Sequence, residues 1–258
     1  MPPCFALRPR ADRPGCRPAA WSRLGALLPD TRCRLCALPS RAPLCSACQC
    51  AYALDPGWRC PRCALPLAAA ASCCGRCALH PPAWDRAIAW ADYAAPLDRL
   101  VAQIKFGGDA ALARWLGRLL GQRLGAAWPP QWPAAALVLP VPLAAARLRS
   151  RGYNQAWEIA RGVAASLHWR ADCRRLSRRR ESPAQSSLPL ARRAANVRGA
   201  FVAEGLPPGR PVLLVDDVMT SGSTAEHATR ALLRAGSGPV LVAVLLRTPP
   251  QRTAADSA

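Results

Sequence analysis

The residues best suited to chemistry stand together in one run, Val212-Leu-Leu-Val-Asp-Asp-Val-Met-Thr-Ser-Gly-Ser-Thr224. It reads as an apolar strand over residues 212–215, two carboxylates, a loop of small residues and the start of a helix. Backbone amides of such a loop and of a helix N-terminus can cradle a phosphate, and the hydroxyls of Thr220, Ser221, Ser223 and Thr224 can add hydrogen bonds. Gly222 lets the backbone approach a ligand closely. Asp216 and Asp217 fall where the strand ends at the carboxyl edge of a sheet, which is where open α/β sheets bind ligands, and they can accept hydrogen bonds from ribose hydroxyls. A plain helix N-cap also explains an isolated Asp-Asp pair, but it does not explain the whole order of strand, acids, loop and helix.

A second chemistry is written in the cysteines. Of 13 in the chain, all but Cys173 lie at or before Cys77. They form an internal repeat: Cys33-Arg-Leu-Cys36-Ala-Leu-Pro39 followed by Cys45-x-x-Cys48, then Cys60-Pro-Arg-Cys63-Ala-Leu-Pro66 followed by Cys74-x-x-Cys77. Each Cys-x-x-Cys is a knuckle that can present two thiolates to a tetrahedral zinc, and two knuckles close a structural site. One zinc per copy is the assignment, with Cys33, Cys36, Cys45 and Cys48 in the first and Cys60, Cys63, Cys74 and Cys77 in the second. Interleaved pairing is the alternative, and Cys50 and Cys73 can compete as ligands. Free or redox-active thiols would not need two matched copies, and a segment this poor in apolar core needs metal for much of its folding free energy.

These groups need elements to position them. The expected domains are a disordered lead-in over residues 1–31, a double zinc ribbon over 32–80, an α/β domain over 84–248 and a disordered tail over 249–258. The lead-in can equally include translated sequence upstream of the true start. Residues 86–93 alternate as a strand does. Leu97, Leu100, Val101 and Ile104 follow helical spacing up to Gly107 and Gly108, and Leu112, Trp115, Leu116, Leu119 and Leu120 mark a second amphipathic helix. Residues 136–141 predict a strand, 147–152 a turn, 154–167 a helix, 174–198 weak local structure, and 240–246 a last strand. Strands alternating with helices imply a mainly parallel sheet flanked by helices.

The formal charge of +20 favours polyanionic partners. However, every basic residue except Lys105 is arginine, amid abundant alanine and proline, so the charge reflects a chain-wide bias more than a designed patch. No stretch approaches the roughly 18 apolar residues that span a bilayer, and no apolar signal core opens the chain, so a cytoplasmic location and no membrane span are expected. In a reducing cytosol, paired cysteines serve metal rather than disulfides.

The 212–224 run resembles the phosphoribosyl pyrophosphate motif of type I phosphoribosyltransferases. The resemblance implies that Asp216 and Asp217 contact ribose, that Thr220, Ser221, Gly222, Ser223 and Thr224 hold the 5'-phosphate, and that Mg²⁺ accompanies the ligand. Thr220 stands where 6-oxopurine transferases carry a third aspartate, which argues against hypoxanthine or guanine salvage. Further pieces are the cysteine repeat, Ile104-Lys-Phe106, Pro140-Val-Pro142, Arg147-Leu-Arg-Ser-Arg-Gly-Tyr-Asn-Gln155, and Gln185 through Arg193, Asn196 and Phe201. In that order they resemble the ComF/GntX family over residues 33–248. That resemblance implies a type I phosphoribosyltransferase-like domain behind two zinc ribbons, with single-stranded DNA and proteins of DNA uptake or recombination as partners. It implies a ligand or pyrophosphate contact for Lys105. Arg147 and Arg151 suit pyrophosphate, a nucleic-acid backbone or a solvated turn equally. Gln185 and Arg193 belong to a segment placed like the mobile hood of transferases. Two functions remain open at this level: a phosphoribosyltransferase with an unassigned acceptor, or a non-catalytic module for single-stranded DNA or a partner that has kept the ligand fold.

Overall fold

A computed structural model of the chain describes residues 31–52, 57–128, 136–179 and 200–249. The expected lead-in and tail lie outside the described residues except at their inner ends, and so do Gln185 and Arg193. The chain divides into two compact units, Met1–Pro56 and Gly57–Ala258, so the second cysteine copy shares its unit with the sheet.

In the first unit, β1 (Thr31–Arg32) pairs antiparallel with β2 (Pro39–Ser40), and α1 (Ser46–Tyr52) follows. The second cysteine copy repeats this local geometry. Cys33 and Cys60 donate their amides to Leu38 O and Leu65 O, and Ala37 and Ala64 donate back to Cys33 O and Cys60 O. Both alanines adopt the left-handed region, at φ 60° and 59°. Arg32 and Arg59 each reach the carbonyl of the alanine five residues on. The sequence repeat is therefore a repeat of one metal-knuckle turn.

The second unit continues with α2 (Gly75–Leu79), β3 (Arg86–Asp92), α3 (Asp98–Phe106), α4 (Ala110–Ala127), β4 (Leu137–Pro140), α5 (Ala145–Arg151) and α6 (Gln155–Leu167). It closes with β5 (Leu176–Arg178), β6 (Phe201–Ala203), β7 (Val212–Met219), α7 (Ser223–Arg234) and β8 (Val240–Arg247). Four strands form one parallel sheet in the order β3-β8-β7-β4. Every residue of β4 and β8 is buried, as expected of strands covered on both faces. Alternate positions such as Leu137, Leu139, Val212, Leu214, Val240 and Val242 join the α7 residues Ala228 and Leu232 in one core. Their neighbours in sequence point to the opposite face, where α4 and α6 pack.

Three expectations change in detail. The turn expected at 147–152 is a helix, α5, closed by Gly152 in the left-handed region at φ 76°. Strand β7 runs four residues past Val215, because Asp216, Val218 and Met219 pair with Val244, Leu246 and Arg247 of an equally long β8. The start of the weakly patterned segment forms β5, which pairs antiparallel with β6 across the stretch between them.

Helices α4 and α6 meet backbone to backbone. A Cβ on Gly117 would stand 2.2 Å from Ile159 O, and one on Gly162 would stand 2.0 Å from Arg114 O. Arg114 clamps the same crossing through Nε and Nη2 to Glu158 Oε2 at 2.9 and 2.6 Å. Since backbone cannot yield as a side chain does, Gly162→Ala should destabilise the fold by about 1–3 kcal/mol. A lowered urea midpoint at unchanged slope would show this, and an unchanged midpoint would mean that the helices separate at no cost.

Candidate functional site

The ligand-binding candidates converge on the end of β7. Asp217 is only 4% exposed. Its Oδ2 receives Lys105 Nζ at 3.0 Å and Gln155 Nε2 at 3.2 Å, while Oδ1 accepts the Val218 amide at 2.7 Å. Lys105 comes from the last turn of α3 and Gln155 from the first residue of α6. Asn154 holds that helix start in place: it caps Ala156 N at 3.0 Å and donates Nδ2 to Val141 O at the end of β4. Tyr153, just before it, donates its hydroxyl to Ile104 O, tying the lysine's helix to the same corner.

Adjacent strand residues face opposite ways. Asp216 therefore turns from Lys105 and Gln155 towards a small cradle that it lines with Val218, Val244 and the 220–224 loop. Burial and then the charge of Asp217 push the Asp216 carboxyl well above the usual range, against the pull of the Asp217 amide and of Lys105. Gly222 sits in the left-handed region at φ 83° and caps α7, so the first amides of a twelve-residue helix open beside the loop. Ser221 Oγ accepts the Ser223 amide, and Thr220, Ser221 and Thr224 are exposed.

Arg147 and Arg151 stand elsewhere. Both belong to α5, which buries none of its residues. Arg151 lies over the ring of Phe106, 5.8 Å from its centroid, and Phe106 is 82% exposed. Among the described residues, Lys105 and Gln155, and neither of these arginines, bond to the acid pair.

The cysteine candidates form two groups, Cys33, Cys36, Cys45, Cys48 and Cys60, Cys63, Cys74, Cys77, with the sulfurs of each within 4.8 Å of one another. This selects one group per copy over the interleaved pairing and leaves Cys73 and Cys50 out of both. A zinc–sulfur bond of about 2.3 Å sets a tetrahedral edge near 3.8 Å. Cys36 and Cys45 are 3.7 Å apart and Cys63 and Cys74 are 3.6 Å apart. The amides of Cys45 and Cys74 point at the Cys33 and Cys60 sulfurs, at 3.4 and 3.2 Å. Burial pushes the Cys33 thiol up, yet amide hydrogen bonds from Cys36, Cys45 and Leu35 outweigh it and bring it to about 6. Burial pushes Cys63 up to about 11, helped by the charge of Cys60. Both groups fit a zinc ribbon.

Several residues at the site were not singled out in the sequence. Gln155 was visible only as the end of a longer motif. Arg247, 2% exposed, donates Nε to Cys63 O at 2.8 Å and Nη1 to the carbonyls of Met219 and Thr248, at 2.8 and 2.9 Å, and of Thr220. Burial pulls its pKa down, against the Cys63 charge that favours the cation. Arg76, in the second cysteine copy, donates to Ser221 O at 2.9 Å. The indole of Trp84 donates to Arg62 O at 2.6 Å, and a Cβ on Gly222 would meet its ring at 3.0 Å. Nothing in the local pattern marks such long-range partners.

No helix among the described residues is long and apolar enough to cross a membrane. The phosphoribosyl transferase domain family matches residues 133–258. The DNA utilization protein YhgH of Escherichia coli O6:H1 is 36% identical over 182 residues, covering 68% of this chain and 78% of that protein. Its namesake in Salmonella typhimurium is 36% identical over 227 residues, covering 84% and 96%. Competence protein F of Haemophilus influenzae is 32% identical over 178 residues, covering 67% and 78%. With identity above 30% across more than three quarters of each relative, the chain belongs to the ComF/GntX family of phosphoribosyl transferase domain proteins.

Proposed function

We propose that this chain binds phosphoribosyl pyrophosphate, or a related phosphosugar or nucleotide, together with Mg²⁺, in the service of DNA utilisation or competence, the roles named for its YhgH and competence protein F relatives respectively. One observation carries the reading: Asp216 lines the same cradle as the 220–224 loop, while Asp217 is held behind it by Lys105 and Gln155. The loop amides and hydroxyls receive the 5'-phosphate, and the acids accept hydrogen bonds from the ribose hydroxyls. Two carboxylates, one already paired with Lys105, are too few to cage Mg²⁺ alone, which suits an ion that takes the rest of its oxygens from phosphates and water. Such an ion supplies charge neutralisation on the pyrophosphate. In transfer, a nitrogen nucleophile attacks C1 of the ribose and pyrophosphate leaves, and the chain contributes orientation and fixed dipoles.

A second reading, a grip on single-stranded DNA without transfer, is favoured by one feature. The exposed Phe106 ring with Arg151 over it, beside the other arginines of α5, offers a base a stacking platform and its phosphates a charge. Calorimetric titration of the metal-loaded protein with Mg²⁺ and phosphoribosyl pyrophosphate should give saturable binding that Asp216→Asn/Asp217→Asn abolishes. A folded wild type that takes up no ligand would sink the first reading. Binding of single-stranded DNA that survives the double substitution would favour the second.

Lys105 lowers the Asp216 pKa through its charge, so removing the charge raises that pKa further. The acids serve the ribose as carboxylates, so binding should fade on acidification. In Lys105→Met the fading should begin at higher pH than in the wild type. Titrations from pH 8 downward check the direction, and an unchanged or lower midpoint would contradict it.

Each cysteine group holds one structural Zn²⁺. Metal analysis of the purified chain should find two equivalents, and Cys36→Ser should leave about one, because three ligands do not close a structural site. Two equivalents retained in the variant would mean another residue completes the set.

A further inference from the structure

The second cysteine group and the 220–224 loop are joined by three ties within one unit. Arg247 bridges Cys63 O to Met219 O and Thr220 O, Arg76 reaches Ser221 O, and Trp84 hangs from Arg62 O with its ring against Gly222. Each tie starts on the 60–63 knuckle or on the 74–77 knuckle itself, where Arg76 stands between the two cysteines, and each ends on a different residue at the head of the loop. Between them lies a cleft of about 320 Å³ lined by Cys63, Arg76, Trp84, Met219, Ser221 and Gly222. The loop is therefore not packed on the knuckle but suspended from it by these side chains.

We propose that the second metal group sets the conformation of the loop, with Arg247 as the positioning residue, so that zinc occupancy at Cys60, Cys63, Cys74 and Cys77 and phosphate-ligand affinity at the loop are coupled. The inference rests on the ligand reading above and adds its regulation. A buried guanidinium needs its donors satisfied and its charge countered. Arg247 meets the first need with backbone carbonyls and the second with its neighbour, since four thiolates around Zn²⁺ leave a net negative charge beside it. Release of the metal frees the Cys63 backbone, removes that counter-charge and leaves Arg247 holding the loop from one side only. Coupling of this kind is reciprocal: if zinc tightens ligand binding by some factor, ligand tightens zinc binding by the same factor. The first cysteine group takes part in none of these ties and serves as the internal reference.

The experiment is equilibrium competition for zinc by a chromogenic chelator with little affinity for Mg²⁺, on the full chain, with and without saturating Mg²⁺–phosphoribosyl pyrophosphate. One of the two zinc ions should be held about tenfold more tightly in the presence of ligand, within the usual range of allosteric coupling, and the other should be unchanged. Cys33→Ser, which removes the first site, should leave the protected ion in place. In Arg247→Met the ligand effect should fall below about fivefold, the lower end of typical allosteric coupling. If that buried substitution does not fold, Arg76→Ala, at an exposed position, should at least halve the effect. Ligand that binds by calorimetry yet shifts neither zinc, or shifts both equally, overturns the coupling and leaves the ligand reading intact. Absence of any ligand binding by the folded, zinc-loaded wild type overturns both.

Discussion

Strand β7 stays in the sheet until Met219 because β8 keeps pace with it, and the site depends on that pairing. Had β8 ended four residues earlier, at Ala243, the acids would sit in a loop with free torsions. Instead, Asp216 is opposite Val244 and Met219 opposite Arg247, both within the parallel ladder. The ladder fixes which face each carboxylate leaves from and where the chain is released into the loop. The apolar residues that make this possible are unremarkable one by one. Val240, Leu241, Val242 and Ala243 are fully buried, and each adds the ordinary stabilisation of removing apolar surface from water, roughly 25 cal/mol per Å².

The rest of the corner is built outward from that edge. The α4–α6 crossing brings backbone within reach of backbone at Gly117 and Gly162, which sets the height at which α6 begins. Asn154 then caps α6 and reaches the end of β4, so Gln155 enters beneath Asp217 with little freedom left. Tyr153 ties the end of α3 to the same place through Ile104 O, and Lys105 is the next residue along. Each helix thus delivers one donor to a single carboxylate oxygen.

How far this was legible in the sequence follows from the range of each interaction. The cysteine groups were readable because metal ligation demands particular residue types at short spacing, and the structure adds which knuckles pair. The strand, acids, loop and helix of residues 212–224 were readable for the same reason, although the strand's true end was not. Two of its last four residues are carboxylates, and only the partner strand shows that they are paired. The 147–152 segment reads as a turn from its basic and glycine residues, but it forms one helical turn and more before Gly152 ends it. Arg247 was hidden most thoroughly. At the end of an apolar strand it looks like a cation leaving the core, whereas it is 2% exposed and bonded to carbonyls far away in sequence. Contacts such as Cys63–Arg247 or Trp84–Gly222 join residues more than a hundred positions apart, and no local periodicity encodes them.

The lone lysine has a geometric reason. In a chain where arginine fills every other basic position, Lys105 shares Asp217 Oδ2 with Gln155, at 3.0 and 3.2 Å. An ammonium is a compact charge with three donors that can swing to whichever oxygen is free. A guanidinium is a planar fork that favours both oxygens of a carboxylate at once, but Asp217 Oδ1 is already taken by the Val218 amide at 2.7 Å. Arginine at 105 would therefore compete with Gln155 for one oxygen and with the strand's own backbone for the other. The same compactness leaves Lys105, whose side chain is 23% exposed, room to turn towards an anion arriving at the edge of the sheet, which a forked pair with Asp217 would resist.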